Sequence, residues 1–139
     1  MMCNQSLLLN GLRVLVVDNN LDCRVLLTTV LEEYGIEAIA VTSAVEALEI
    51  LKQVEPDLLI SELALPEVDG YSLMHQVKAI NKKRQAEIPA IALTAHDSKS
   101  DRVHALSAGF CKHISKPFDI DELIEIIASV IGQFQWLTA

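Results

Sequence analysis

Short apolar runs alternate five times with longer stretches in which apolar residues recur every three or four positions. The runs are continuous and rich in β-branched residues, which is typical of strands buried on both faces. The periodic stretches predict helices with one apolar face each. The predicted strands span residues 14–17, 36–41, 58–60, 89–94 and 112–115. This alternation predicts an α/β fold in which helices cover both faces of one doubly wound, five-stranded parallel sheet.

The predicted helices have recognisable beginnings and ends. Ser43 with Glu46, and Asp119 with Glu122, have the spacing of a capping box at a helix N-terminus. The predicted helix ends are Gly35, Gly109 and Gly132. The predicted apolar stripes are Cys23, Leu26, Leu27, Val30, Leu31 and Tyr34, then Ala44, Ala47, Leu48 and Leu51, then Leu73, Val77 and Ile80, then Val103 and Leu106, then Ile120, Leu123, Ile124, Ile127, Val130 and Ile131. Cys23 is thus predicted to be a core thiol.

Length and charge limit the classes of partner. The chain has 139 residues, enough for one domain, and its formal net charge of -8 repels nucleic acid and anionic lipid. Three cysteines without metal-ligand spacing, and an opening segment without a signal-peptide pattern, favour the reducing cytoplasm. We expect an N-terminal arm at 1–10, one domain at 11–132 and a tail at 133–139. The basic run at 82–84 is predicted to be a solvated loop, and Phe134 and Trp136 are expected to pack on the domain.

Polar residues stand where the predicted strands end. They are Asp18 with Asn19, Glu62, Thr94 and Lys116. Ligands of open parallel sheets bind outside the carboxyl ends of the strands, so these side chains are expected to converge. Taken singly, each has an ordinary structural explanation as a cap, a strand end or a surface charge. Together, they are suited to holding a hard cation and an anionic group.

Other kinds of site find little support in the sequence. There is no glycine-rich phosphate cradle, no nucleophile motif and no pair of histidines at zinc-ligand spacing, so we predict neither zinc nor enzymatic activity. A flavin-binding module of the same topology stays open as a remote alternative. It is disfavoured because Asp18 lies where a phosphate would need amide donors.

Four strings of residues carry a family resemblance. VVDNN, DLLISELALPEVDG, IPAIALTA and ISKPFD occur in this order, each at a strand end. With them, residues 11–132 resemble the receiver domain of two-component response regulators, a flavodoxin-like (βα)5 fold. The strings LALPEVDGYSL and SKPF most resemble receivers of cyanobacterial or proteobacterial hybrid sensor kinases. The resemblance implies phosphorelay signalling, with magnesium and a strand-3 Asp as phosphoacceptor.

Two of the five site positions depart from the family pattern. The resemblance assigns Thr94 and Lys116 to contacts with phosphoryl oxygens, and Asp18 to the acidic metal pocket. The second acidic position is Asn19, and the phosphoacceptor position is Glu62. An amide in place of a carboxylate weakens magnesium binding, and a longer acid misplaces the attacking oxygen. We therefore expect no cofactor, or weak magnesium at Asp18.

His113 is a further departure from the family pattern. It lies at the strand-5 position where the family usually has a switch Tyr or Phe. Its simplest interpretation is a half-buried strand histidine.

Two hypotheses of function follow. The first is an atypical receiver, or pseudo-receiver, that signals through contacts with a histidine kinase or another signalling protein. In it Glu62 either imitates a phosphorylated Asp by reaching Lys116, or is a drifted residue without a role. The alternative is a working magnesium-dependent phosphoacceptor. Imitation predicts that Glu62 and Lys116 are within hydrogen-bond distance, whereas drift predicts a Glu62 carboxylate turned to solvent.

The partner surface is expected on the fourth helix, fifth strand and fifth helix, with Ile126 exposed there. We expect a monomer or weak dimer, since the last helix carries Asp119, Asp121, Glu122 and Glu125.

Overall fold

Five strands and five helices alternate along the described part of the chain. The computed structural model describes residues 9–95 and 98–138, with residues 133–138 described by their backbone alone. The strands are Arg13–Val17 (β1), Glu37–Val41 (β2), Leu58–Glu62 (β3), Ala90–Thr94 (β4) and Lys112–Ser115 (β5). The helices are Leu21–Glu33 (α1), Ala44–Leu51 (α2), Gly70–Arg84 (α3), Lys99–Ala108 (α4) and Ile120–Thr138 (α5). The α/β prediction is confirmed, with strand bounds within two residues of those expected.

All strand pairs are parallel, in the order β2-β1-β3-β4-β5. Successive side chains of a strand point to opposite faces, so each face of the sheet has its own core. Val14, Val16 and Ile60 belong to the core beneath α1 and α5. Leu15 and Leu59 belong to the core on the other face, beneath α2 and α3. Burial on both faces explains why the sequence has continuous apolar runs here.

Side-chain caps fix the helix N-termini. The Ser43 hydroxyl accepts the Glu46 N–H at 3.2 Å, as the capping box predicts. The Glu46 carboxylate accepts instead from the Thr42 backbone N–H, one residue earlier than in a standard box. Asp119 likewise accepts the Glu122 N–H at 3.1 Å. At the other end of α4, Gly109 has a φ of 117°, a left-handed conformation that glycine adopts without strain.

Several predicted stripe residues are exposed. Val103 and Leu106 are 55% and 56% exposed, because α4 packs on the core through its small residues, with Ala105 buried and Ala108 partly buried. Leu26 of α1 and Ile120 of α5 are exposed as well. Ile126, expected to be exposed, is instead half-buried against the core. Periodicity therefore located the helices correctly but misjudged the width of their buried faces.

Two predicted boundaries are also wrong. Helix α5 continues through Gly132 to Thr138, since one interior glycine costs a helix only about 1 kcal/mol relative to alanine. The basic run at 82–84, predicted to be a loop, is the last turn of α3. Cations at a helix C-terminus interact favourably with the helix dipole, and Arg84 also donates to the Leu51 carbonyl. The arm at 1–8, His96 and Asp97, and the packing of the side chains of Phe134 and Trp136 lie outside the described residues. Within the described residues, no helix is both long and apolar enough to span a membrane.

Candidate functional site

The carboxyl ends of three neighbouring strands bring the predicted polar residues to one edge of the sheet. Asp18 directly follows β1, Glu62 ends β3 and Thr94 ends β4. Asp18 is fully buried, Glu62 is 7% exposed and Thr94 is also buried. Polar groups buried to this extent need partners, because loss of hydration is costly.

Lys116 bridges the two carboxylates. Its Nζ lies 2.7 Å from Asp18 Oδ2 and 3.2 Å from Glu62 Oε1. The lysine is positioned by its backbone, whose N–H donates to the Thr94 carbonyl at 2.8 Å. Its side chain is 20% exposed, so this ion-paired cluster is largely withdrawn from water. The expected contact between Glu62 and Lys116 is present, but the shorter bond is to Asp18.

The remaining carboxylate oxygens accept backbone N–H groups. Asp18 Oδ1 accepts from Asn20 at 2.9 Å, and Glu62 Oε2 accepts from the adjacent Leu63 at 2.8 Å. Each of the four carboxylate oxygens therefore has a donor. Gly70 closes the turn beside Glu62, where a Cβ would lie 2.6 Å from the Glu62 carbonyl oxygen. The backbone of Glu62 is thus packed closely against the start of α3, while its carboxylate is held by Lys116 and the Leu63 N–H.

Cys23, in the first turn of α1, joins this site. The pKa of the Cys23 thiol is raised to about 12. Burial is the larger cause, and the hydrogen bond to Asp18 adds to it. The thiol is accordingly protonated at neutral pH and donates to the carboxylate. Sequence reasoning predicted a core thiol and missed this contact. The available signal was its position five residues after Asp18, at the start of the helix that follows β1.

The positively charged form of Lys116 is stabilised by Asp18 and Glu62. Burial by itself lowers the pKa of the Lys116 ammonium, but the hydrogen bond and negative charge of Asp18, together with Glu62, outweigh burial. The pKa is raised overall, and the lysine is a cation throughout the physiological range.

Asn19 and His113 lie outside the central cluster of Asp18, Glu62 and Lys116. Asn19 is exposed, while the neighbouring Asn20 caps α1 by accepting the Cys23 N–H at 2.8 Å. His113 is half-buried in β5 and lines a surface cavity of about 440 Å³ with Leu106 and Glu122. The structure therefore joins Asp18, Glu62 and Lys116 directly, with Thr94 fixing the lysine backbone.

The chain matches a known family over most of its length. The model of the response regulator receiver domain matches residues 14–128. An uncharacterized 14.6 kDa protein of Leptolyngbya boryana is 41% identical over 114 residues, which are 82% of this chain and 86% of that protein. The DNA-binding transcriptional regulator NtrC of Escherichia coli is 33% identical over 88% of this chain, but over only 25% of its own length.

Solved structures agree with this match. The receiver domain of the sensor histidine kinase PA1611 of Pseudomonas aeruginosa, described with magnesium in its active-site cleft, has a TM-score of 0.78 and 30% identity; the match covers 88% of this chain and 98% of that one. The Saccharomyces cerevisiae receiver domain of Ssk1, solved with the phosphotransfer protein Ypd1, has a TM-score of 0.77 and 25% identity, covering 82% and 84%. The chain belongs to the response regulator receiver domain family and has its flavodoxin-like fold.

The metal that the family implies does not fit the donor set. Magnesium needs oxygen ligands in near-octahedral geometry, but the carboxylates of Asp18 and Glu62 are both paired with Lys116, whose positive charge would repel a divalent ion beside them. Asn19, which the family resemblance assigns to the second acidic position, is a neutral and exposed amide. No group of three or more His, Cys, Asp or Glu residues suited to a metal ion exists among the described residues.

Proposed function

We propose that this receiver domain is a pseudo-receiver, which signals through protein contacts and takes no phosphoryl group on its strand-end carboxylate. The observation that carries the proposal is the state of Glu62. One oxygen is bonded to Lys116 and the other to the Leu63 N–H, and the side chain is buried. An acid that attacks phosphorus needs a free, aligned oxygen, and displacement by about an ångström costs on the order of a hundredfold in rate.

Within this proposal, Glu62 holds Lys116 as a phosphorylated Asp would hold it. A glutamate places its carboxylate one methylene farther from the backbone than an aspartate, which brings negative charge toward the ammonium. The 3.2 Å contact between Lys116 Nζ and Glu62 Oε1 supports this role over a drifted side chain turned to solvent. The domain would then be fixed in one signalling state.

The partner is proposed to be a protein that binds the face formed by α4, β5 and α5. Val103 and Leu106 supply exposed apolar area on α4, and His113 lies beside them in the cavity of about 440 Å³. The related Ssk1 receiver was solved in complex with a histidine phosphotransfer protein, which supports a signalling protein as partner. The formal charge of -8 disfavours nucleic acid and anionic membranes, and we infer a cytoplasmic, non-enzymatic module.

The test is phosphorylation in solution. The protein is incubated with magnesium and a small phosphodonor such as acetyl phosphate, and is then weighed by intact mass spectrometry. We expect no phosphoryl adduct on the natural sequence. The double variant Glu62→Asp with Asn19→Asp, which restores the family pattern, is the positive control and is expected to give an adduct. An adduct on the natural sequence that maps to Glu62 or Asp18 would establish the alternative, a working phosphoacceptor.

A further inference from the structure

The charge balance of the site differs from that of a metal pocket. Two buried carboxylates, Asp18 and Glu62, repel one another and each loses hydration energy, so the fold needs a cation between them. Lys116 is the cation that contacts both of them in the described part of the chain. Arg24 approaches as well, but its guanidinium donates to the Asp18 backbone carbonyl at 2.7 Å and leaves the carboxylates to the lysine.

We propose that the Lys116 ammonium takes the place of a divalent cation, so that the site is neutralised from within and is insensitive to magnesium. The inference concerns the same site as the proposed function and rests on it. It adds that the signalling state of this domain does not depend on the supply of divalent metal. The 2.7 Å bond from Lys116 to Asp18 Oδ2 carries the argument, because that oxygen belongs to the one acidic residue retained in the metal pocket.

A divalent ion would have to compete with Lys116 for the two carboxylates. It would either displace the ammonium or lie beside its positive charge, and it would gain no third carboxylate at Asn19. The two carboxylates and one ammonium leave a single uncompensated negative charge, which gives a doubly charged ion little to bind. Removing the ammonium should create the metal site that the natural chain lacks.

The experiment compares the natural protein with Lys116→Met. The matched control is Lys112→Met, which changes an exposed lysine at the start of β5, the strand that precedes Lys116. Metal binding is measured by titrating Mn²⁺ as a spin probe and then displacing it with Mg²⁺. Thermal unfolding is followed separately, in chelator and in millimolar MgCl₂. We expect the natural protein and Lys112→Met to show no saturable binding in the millimolar range and no shift in Tm. Lys116→Met should unfold at lower temperature in chelator, should bind Mn²⁺ at least about tenfold more tightly, and should regain part of its Tm with Mg²⁺.

Saturable Mn²⁺ binding by the natural protein, competed by submillimolar Mg²⁺, would overturn the inference even if Lys116→Met failed to fold. So would a folded Lys116→Met with no gain in metal affinity. The phosphodonor assay separates the two claims. A natural protein that binds magnesium but forms no adduct contradicts the internal cation and leaves the pseudo-receiver intact. An adduct formed without metal binding contradicts the pseudo-receiver and leaves the internal cation intact.

Discussion

Replacing Lys116 by methionine tests the energetic weight of the cluster. The substitution keeps most of the aliphatic stem but removes the charge that pairs with fully buried Asp18. Breaking a buried ion pair by removing one partner costs about 3 to 5 kcal/mol, because the other charge is left uncompensated. The lysine side chain is 20% exposed, so water can enter when the ammonium is gone, and we place the loss at the low end, about 3 kcal/mol.

Equilibrium unfolding in urea, followed by circular dichroism, measures this loss. With an m-value of about 1.5 kcal/mol per molar, the expected loss lowers the midpoint by ~2 M. A double-mutant cycle with Asp18→Asn should give a larger coupling energy than one with Glu62→Gln, since the two bonds are 2.7 Å and 3.2 Å long. The control Lys112→Met should stay within about 0.5 kcal/mol of the natural protein. A loss below about 1 kcal/mol for Lys116→Met would refute the view that Lys116 neutralises buried charge.

Three other predictions follow from individual residues. Glu62→Asp with Asn19→Asp should raise magnesium affinity, because a carboxylate returns to the metal pocket; unchanged affinity by calorimetry would mean that Asn19 does not belong to it. The raised pKa of Cys23 adds stability that is fully present below pH 9.0 and falls as the pH rises toward about 12. Cys23→Ala should therefore flatten the fall in urea midpoint over that window; an unchanged pH profile would contradict the raised pKa. Leu106→Lys should change the free energy of unfolding by less than about 0.5 kcal/mol, whereas Ile126→Lys should cost about 2 kcal/mol; equal losses would contradict their different burial.

Much of the site could be predicted because it follows from strand ends. Parallel strands bring their carboxyl ends to one edge, so Asp18, Glu62 and Lys116 had to converge once the strands were recognised. The sharing of Lys116 between two acids could not be predicted, because it depends on side-chain conformations set by the packed fold. The contact of Cys23 with Asp18 was missed for the same reason: an apolar stripe position and a site-facing position look alike in sequence.

The errors in the fold have two physical causes. Val103 and Leu106 have helical spacing, yet α4 packs on the core through the small residues Ala105 and Ala108 and leaves both larger residues exposed. Gly132 is a common helix stop, yet α5 continues past it to Thr138. A local preference of about 1 kcal/mol is too weak to end a helix by itself, so the sequence located the elements better than their edges and faces.

The central claim, that Glu62 permanently holds Lys116 without phosphorylation, is tested most directly by ¹H–¹⁵N spectra of the backbone. Amides of Thr94, Ser115 and Lys116 are compared in the natural protein, with and without magnesium and phosphodonor, and in Glu62→Gln, which keeps the shape of Glu62 but removes its charge. The account predicts that magnesium and phosphodonor leave these resonances of the natural protein unmoved and that Glu62→Gln shifts them. Shifts in the natural protein upon addition of phosphodonor, with none in Glu62→Gln, would contradict it.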